Sequence, residues 1–145
     1  MYKYDGCCLR GIYLKNGYEV HKTQYGEGVS VHDVDGLHKA IGTHLVRNKS
    51  YLSGAEVRFL RKELGLSQVQ LAKLLGVTEN SVRGWENHRS KITKPAERLL
   101  RVLYLEFVCP CSKIKELVER INDLNRDQHH SMEFEESKSG WGMAA

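Results

Sequence analysis

Four cysteines are the residues of this sequence that first suggest metal chemistry. They form two tight pairs, with Cys7 next to Cys8 and Cys109 one residue from Cys111. Structural zinc sites favour roughly two to four residues between paired cysteines, because closer spacing gives poor tetrahedral geometry. We therefore expect no metal site, and we interpret the cysteines as small reduced thiols.

Three histidines recur at intervals of six residues, at positions 32, 38 and 44. Six residues rotate an α-helix by about 600°, so His38 and His44 would point to different faces and would not share a ligand. The sequence also lacks a glycine-rich phosphate loop, a nucleophile elbow and a paired-acid signature. We therefore expect neither a cofactor nor catalysis, and predict that the protein is not an enzyme.

Positive charge is concentrated in the middle of the chain. The net charge is +4, and residues 51–110 hold ten Lys or Arg against six Asp or Glu, whereas residues 127–145 hold one Lys against four acids. This distribution is typical of a phosphate-binding surface with a solvated tail, although an ordinary charged surface is the alternative. No apolar run approaches the roughly 18 residues that span a bilayer, and the N-terminus lacks a signal-peptide core. We expect a cytoplasmic protein without a membrane partner.

The first fifty residues predict a small β-rich unit with one helix. Strand-like runs at 12–15 and 18–21 flank Asn16-Gly17, which is a strong signal for a two-residue hairpin turn. Residues 29–31 are a candidate third strand. A helix over 33–47 would begin at the capping residue Asp33. Its buried face would hold Leu37, Ile41 and Leu45, with Val34 as a further candidate.

Residues 53–107 carry the start and stop signals of four helices. Ser53 and Ser67 each begin a capping box, and Thr78 caps a third helix. Gly65 and Gly76 end the first two helices, so three short helices with tight corners must cross steeply. A fourth helix follows Pro95. Its apolar face would hold Leu99, Val102, Leu103 and Phe107.

A last helix is predicted from Ser112, and residues 127–145 are predicted to be a disordered tail. The seam of that helix would hold Ile114, Leu117, Ile121 and Leu124. The predicted fold class is α+β, with a small N-terminal β-hairpin or sheet plus a helix, followed by an all-α domain of five helices. The predicted domains are the β-rich unit at 1–50, the helical domain at 51–126 and the tail.

The segment Leu66–Asn87 resembles the lambda-repressor-like (Xre) helix-turn-helix family. It matches the pattern LSQ-x-x-LA-x-x-LGV-x-x-x-x-V-x-x-WE. Each matching residue has a mechanical reason, since Ala72 is small where the third helix crosses and Gly76 adopts the left-handed turn conformation. Val82 and Trp85 would anchor the third helix, leaving its opposite face for the major groove of DNA.

The β-rich unit that precedes this segment, with the sequence DVDGLH at 33–38, is similar to that of MqsA-like (YgiT-type) antitoxin regulators. Members of that group usually carry two N-terminal CxxC pairs that bind zinc. This chain departs from the pattern, because it has only Cys7 and Cys8 in that region.

The helix-turn-helix resemblance implies which residues contact DNA. On the third helix, Asn80 would contact adenine, Arg83 guanine or phosphate, and Glu79 cytosine. Gln68 at the start of the second helix would hold phosphate, unless it only completes the cap. Gly84 departs from the family, which usually has a larger polar residue there. The complete implied set is Ser67, Gln68, Thr78, Glu79, Asn80, Ser81, Arg83, Asn87, Arg89 and Lys91; ordinary helix-start roles are the alternative for Asn80 and Ser81.

The resemblance implies a sequence-specific transcriptional regulator whose partner is double-stranded DNA. We expect a homodimer on a palindromic operator, contacted through residues 79–87, with dimerisation through the last helix or the N-terminal unit. The N-terminal unit could instead sense an effector or bind a partner. The alternative function is that of an antitoxin that neutralises a toxin protein and autoregulates its operon.

Overall fold

The computed structural model describes residues 1–110, 113–122 and 134–143 of the 145-residue chain. Within these residues, six helices and three two-stranded antiparallel sheets follow one another. They are consistent with the predicted α+β class, while the count of five helices in the predicted helical domain stays a prediction. The elements are β1 (Tyr2–Lys3), β2 (Tyr13–Leu14), β3 (Tyr18–Thr23), β4 (Gly26–Val31), α1 (Val34–Asn48), α2 (Gly54–Glu63), α3 (Gln68–Leu75), α4 (Glu79–Glu86), α5 (Lys94–Val108), α6 (Ile114–Asn122), β5 (Phe134–Ser137) and β6 (Gly140–Met143).

The N-terminal strands pair differently from the prediction. β2 pairs with β1, with Leu14 opposite Tyr2, and β3 pairs with β4 from Tyr18 opposite Val31. The predicted hairpin around Asn16-Gly17 is therefore wrong, although the predicted strand at 29–31 lies within β4 and is confirmed. The reason is burial: Leu14 packs into the core, which holds β2 against the helices, whereas most of β3 stays exposed.

Helix α1 begins where the sequence predicts, because the Asp33 side chain accepts a hydrogen bond from the Gly36 backbone N–H at 3.2 Å. Its buried residues include Ile41 and Leu45, as predicted, while Leu37 is half-buried and the candidate Val34 is exposed. α1 packs against α5 and α2. The β-rich unit is thereby attached directly to the helices that follow.

One hydrophobic core runs across residue 50, the predicted domain boundary. It joins Tyr4, Leu9 and Leu14 of the N-terminal unit to apolar residues of α1, α2, α3, α4 and α5. The central buried side chains are Val57, Leu60, Leu71, Val82, Leu100 and Tyr104. The predicted division at residue 50 therefore does not separate two independent cores.

The buried face of α5 is rotated from the predicted one. Val102 and Phe107 are exposed, whereas Leu100 and Tyr104, which the sequence analysis did not select, are fully buried. The reason is that α1 packs on α5 from the N-terminal unit. The buried residues of α5 are Ala96, Leu100, Leu103 and Tyr104.

A polar chain also connects the N-terminal unit to α2. His38 Nδ1 lies 2.7 Å from Glu63 Oε1, and His38 Nε2 lies 2.8 Å from the Tyr4 hydroxyl. Because a carboxylate only accepts, Nδ1 donates to Glu63, and in the neutral imidazole Nε2 then accepts from Tyr4. Burial raises the pKa of Tyr4, which keeps its hydroxyl protonated as the donor.

Residues 134–143 form a hairpin within the segment predicted to be disordered. Phe134 lies opposite Met143, and Ser137 lies opposite Gly140 at the turn. Gly140 has a φ of 109°, a conformation that favours glycine and permits this tight reversal. Residues 127–133 and 144–145 of the predicted tail lie outside the described residues, as do Ser112, Leu124 and the side chains of Leu117 and Ile121 in the predicted seam.

Candidate nucleic-acid interface

The predicted caps set the limits of α2, α3 and α4. The Ser67 hydroxyl accepts from the Gln70 N–H at 3.1 Å, and the Gln70 side chain accepts from the Ser67 N–H at 2.8 Å. Ser53 and Glu56 form the same reciprocal box at α2. Gly76, with a φ of 71°, ends α3 in the predicted left-handed conformation. These local predictions are confirmed.

The inner side of α4 is buried against α3 and α2. Val82 is fully buried and Trp85 is 4% exposed, and Ala72 of α3 is 3% exposed. The backbones also approach closely, because a Cβ atom built on Gly54 would lie 2.0 Å from the Trp85 carbonyl oxygen. The start of α2 thus fixes the position of the end of α4, and glycine is required at the crossing.

A buried ion pair holds α4 to α2. The Arg61 guanidinium donates to both carboxylate oxygens of Glu86, with Nε–Oε2 at 3.0 Å and Nη2–Oε1 at 2.9 Å. Arg61 Nη1 also donates to the Leu66 carbonyl oxygen at 2.9 Å, in the connection between α2 and α3. This pair was not predicted from the sequence. Its signal was that Glu86, four residues after Val82, places a charge on the apolar face of α4.

The outer side of α4 presents the predicted base-contacting residues together. Asn80, Arg83 and Asn87 are exposed, and they share one helical face because they are three and four residues apart. Glu79 is half-buried, and its Oε1 accepts from Arg83 Nη2 at 2.6 Å. Arg83 is therefore held along the helix by an ion pair that sequence reasoning did not include.

Thr78 and Ser81 are occupied by the start of α4. The Thr78 hydroxyl oxygen accepts from the Ser81 N–H at 3.2 Å, and the two hydroxyl oxygens are 3.0 Å apart. At α3, Ser67 has the same capping role, and Gln70 is its reciprocal partner rather than Gln68. The alternative that Gln68 only completes the cap is therefore wrong, and Gln68 lies half-buried in the first turn.

The chain after α4 folds back over Gly84. His88 has a φ of 60°, and the Arg89 N–H donates to the Gly84 carbonyl oxygen at 2.9 Å. A Cβ on Gly84 would meet Ser90 Oγ at 3.2 Å. The glycine that departs from the family pattern therefore lies half-buried beside this loop, rather than on the fully exposed face.

A basic groove of 820 Å³ lies beside this loop, between the starts of α2 and α5. Arg89 and Lys91, both predicted, lie on it, and α5 adds Lys94 and Arg98, which the sequence analysis did not select. The signal for the last two was their spacing of four residues, which places them on one side of α5. This concentration of cations favours a polyanion.

The short helices α3 and α4 follow one another across the left-handed Gly76, and α4 is buried on one side and polar on the other. Residues 57–100 match the family model described as helix-turn-helix. The match runs from within α2 to within α5 and supports the lambda-repressor-like resemblance over that range. No curated protein and no solved structure matches the chain. The helix-turn-helix is the feature that suggests a DNA-binding regulator.

Of the cysteines first considered for metal chemistry, Cys7, Cys8 and Cys109 lie within the described residues, whereas Cys111 lies outside them. Cys7 is buried, which raises the pKa of its thiol, while Cys8 is exposed. In the described part of the chain, no three His, Cys, Asp or Glu side chains group as a metal site. None of the described helices is long and apolar enough to cross a membrane.

Proposed function

We propose that this chain is a sequence-specific DNA-binding transcriptional regulator that acts as a dimer on a palindromic operator. The observation that carries the proposal is the two-sided character of α4. Val82, Trp85 and Glu86 anchor one side, while Asn80, Arg83 and Asn87 lie exposed on the other. An α-helix of this kind fits the major groove, where such side chains discriminate base pairs.

The surroundings of α4 supply the contacts that position such a helix. The first turn of α3 begins at Gln68, where a helix leaves backbone N–H groups without helical acceptors, and the groove beyond α4 carries Arg89, Lys91, Lys94 and Arg98. Amides at a helix start and clustered cations bind phosphates without regard to sequence. We infer that the two regions contact the DNA backbone on either side of α4.

The proposal is tested by selecting bound sites from random duplexes at two salt concentrations. We expect one palindrome to be enriched at both concentrations, and affinity to fall as salt rises because phosphate contacts release counterions. If no common sequence is enriched, specific operator binding is rejected.

Single substitutions then assign the contacts. Asn80→Ala and Arg83→Ala should each cost about 1–3 kcal/mol of binding at particular base positions. Gln68→Ala should weaken binding to all sequences alike. Lys39→Ala, which removes an exposed cation from α1, is the control and should leave both properties unchanged. A uniform loss with Asn80→Ala would reject its role in base recognition.

An antitoxin that neutralises a toxin protein and autoregulates its operon is the second candidate. The observation that favours it is the exposure of the N-terminal hairpin, where Tyr25 is 91% exposed and Val20 52% exposed. Co-purification of the native complex, followed by identification of any stoichiometric small protein, tests this candidate. If no such small protein co-purifies with a chain that still binds the operator, the antitoxin candidate is rejected and the regulator remains.

A further inference from the structure

The outer edge of β3 is open in the part of the chain that the structure describes, because β3 pairs there only with β4. At the base of this hairpin, the His32 N–H donates to the Gly17 carbonyl oxygen at 2.8 Å. Hydrogen-bonded pairs alternate along an antiparallel ladder. The backbone groups of residues 19, 21 and 23 therefore point toward β4, and those of residues 18, 20 and 22 point toward the open edge.

The side chains of this hairpin are also poorly covered. Val20 lies opposite Val29 on one face, and these side chains are 52% and 37% exposed. Tyr2 covers only the Tyr18 end of that face, with the two ring centres 5.2 Å apart. A two-stranded ribbon is marginally stable in water, and an open edge bearing β-branched residues is a site for strand addition.

The sequence of β3 is complementary to a second copy of itself. When two copies of β3 pair antiparallel about a twofold axis normal to the sheet, residues opposite each other have side chains on the same face of the sheet. Their residue numbers are therefore both even or both odd. The register centred on Val20 places Glu19 opposite His21 and Tyr18 opposite Lys22. It also pairs the outward backbone groups of residues 18, 20 and 22 with one another.

The side-chain pairs of that register are favourable. Glu19 already lies near imidazoles within one copy, with Oε2 at 3.8 Å from His21 Nε2 and Oε1 at 3.4 Å from His32 Nε2. Directly opposite pairs of an acid with an imidazole, and of an aromatic ring with an ammonium group, stabilise paired strands. The outer edge of β4 offers no such match, because a register centred on Val29 places Glu27 opposite Val31.

We propose that two copies of this chain dimerise through β3, forming a four-stranded antiparallel sheet in the order β4-β3-β3-β4. The valine pairs of the two hairpins then form one continuous apolar strip across the sheet. The inference rests on the proposed dimeric regulator, for which it specifies the interface. It places the twofold axis at β3, in the N-terminal unit.

Two proline variants of the full chain test the edge, with light scattering after size-exclusion chromatography as the measurement. Proline removes an N–H and is tolerated on a strand where that N–H points away from its partner strand. The N–H groups of Val20 and Val29 both point away from the β3–β4 ladder. The wild type should be a dimer at micromolar concentration, Val20→Pro a monomer and the matched Val29→Pro a dimer.

Charge reversal gives a test that does not depend on proline. Glu19→Lys and His21→Glu should each raise the dimer dissociation constant about tenfold, because each disrupts two symmetric pairs. The double variant, which places an ammonium group opposite a carboxylate in the same register, should recover the wild-type value. This series decides the question if circular dichroism shows that Val20→Pro does not fold.

The interface is rejected if the wild type is still a monomer at a concentration 100-fold above the micromolar range. It is also rejected if Val29→Pro dissociates the dimer as Val20→Pro does, or if the double charge variant does not recover the wild-type dimer dissociation constant. Binding to a duplex with one half-site separates this failure from that of the proposed function. Specific half-site binding by a monomeric wild type would overturn the interface and the proposed dimer, but not the proposed sequence-specific DNA binding. Dimerisation through β3 without any sequence preference would overturn only the DNA-binding proposal.

Discussion

Arg61 and Glu86 form two parallel hydrogen bonds, of 3.0 and 2.9 Å, between the second and fourth helices of the chain. Their side chains are only 12% and 3% exposed, so both charges are removed from water and each depends on the other. The pair also reaches the turn before α3 through the Leu66 carbonyl oxygen. The geometry of the helix-turn-helix therefore rests on a polar contact as well as on its apolar core.

Glu86→Gln should lower the free energy of unfolding by about 3–5 kcal/mol, because it leaves the Arg61 charge buried without its counterion. Urea denaturation monitored by far-UV circular dichroism measures the loss. Glu79→Gln is the matched control in the same helix, since the Glu79–Arg83 pair is largely exposed and should contribute less than about 1 kcal/mol. Equal losses in the two variants would contradict the role given to the buried pair.

Gly54→Ala should destabilise the protein by about 1–3 kcal/mol or more, because the added Cβ would lie 2.0 Å from the Trp85 carbonyl oxygen. Gly84→Ala is the matched control. Its Cβ meets only Ser90 Oγ at 3.2 Å, so a helix gain of up to about 1 kcal/mol should offset that contact. Thermal unfolding midpoints measure both effects, and a milder loss at Gly54 than at Gly84 would refute this account of the α2–α4 crossing.

Removing the Glu79 charge should change DNA binding in two ways. Glu79→Gln removes a negative charge near the phosphates, so affinity for every duplex should rise. It also releases Arg83 from its 2.6 Å contact, so discrimination at the base pair that Arg83 contacts should fall by about 1 kcal/mol. Fluorescence anisotropy on the selected site and on single-base variants separates the effects, and unchanged discrimination would show that Glu79 does not orient Arg83.

Tyr104 should make the fold sensitive to alkali. Burial raises the pKa of this phenol to about 12 from an unfolded value of 10.0. The folded state therefore retains the phenolic proton longer than the unfolded state, so this stabilisation is complete below pH 10 and is lost as pH rises from 10 to 12. The urea midpoint should fall more steeply over this range for the wild type than for Tyr104→Phe. Parallel pH profiles would exclude Tyr104 as the cause.

Local signals in the sequence determined much of the helical segment. The capping boxes at Ser53 and Ser67, the left-handed Gly76 and the cap at Thr78 all lie where predicted. These features depend on hydrogen bonds between residues at most three or four positions apart, so the residue types at those positions are enough to predict them. The family match over residues 57–100 agrees with the same pattern.

Interactions between distant residues were decided only by the tertiary structure. The turn at Asn16-Gly17 could not show that β3 would pair with β4, because the burial of Leu14 in a distant core holds β2 on β1. The buried face of α5 depends on α1, which begins 60 residues earlier in the chain. The sequence likewise placed Arg83 and Glu86 on one short helix without naming a partner for either. Arg83 pairs with Glu79, one helical turn away. Glu86 pairs with Arg61 only because folding brings α2 across α4. A buried charge requires a counterion, and the tertiary structure decides which residue supplies it.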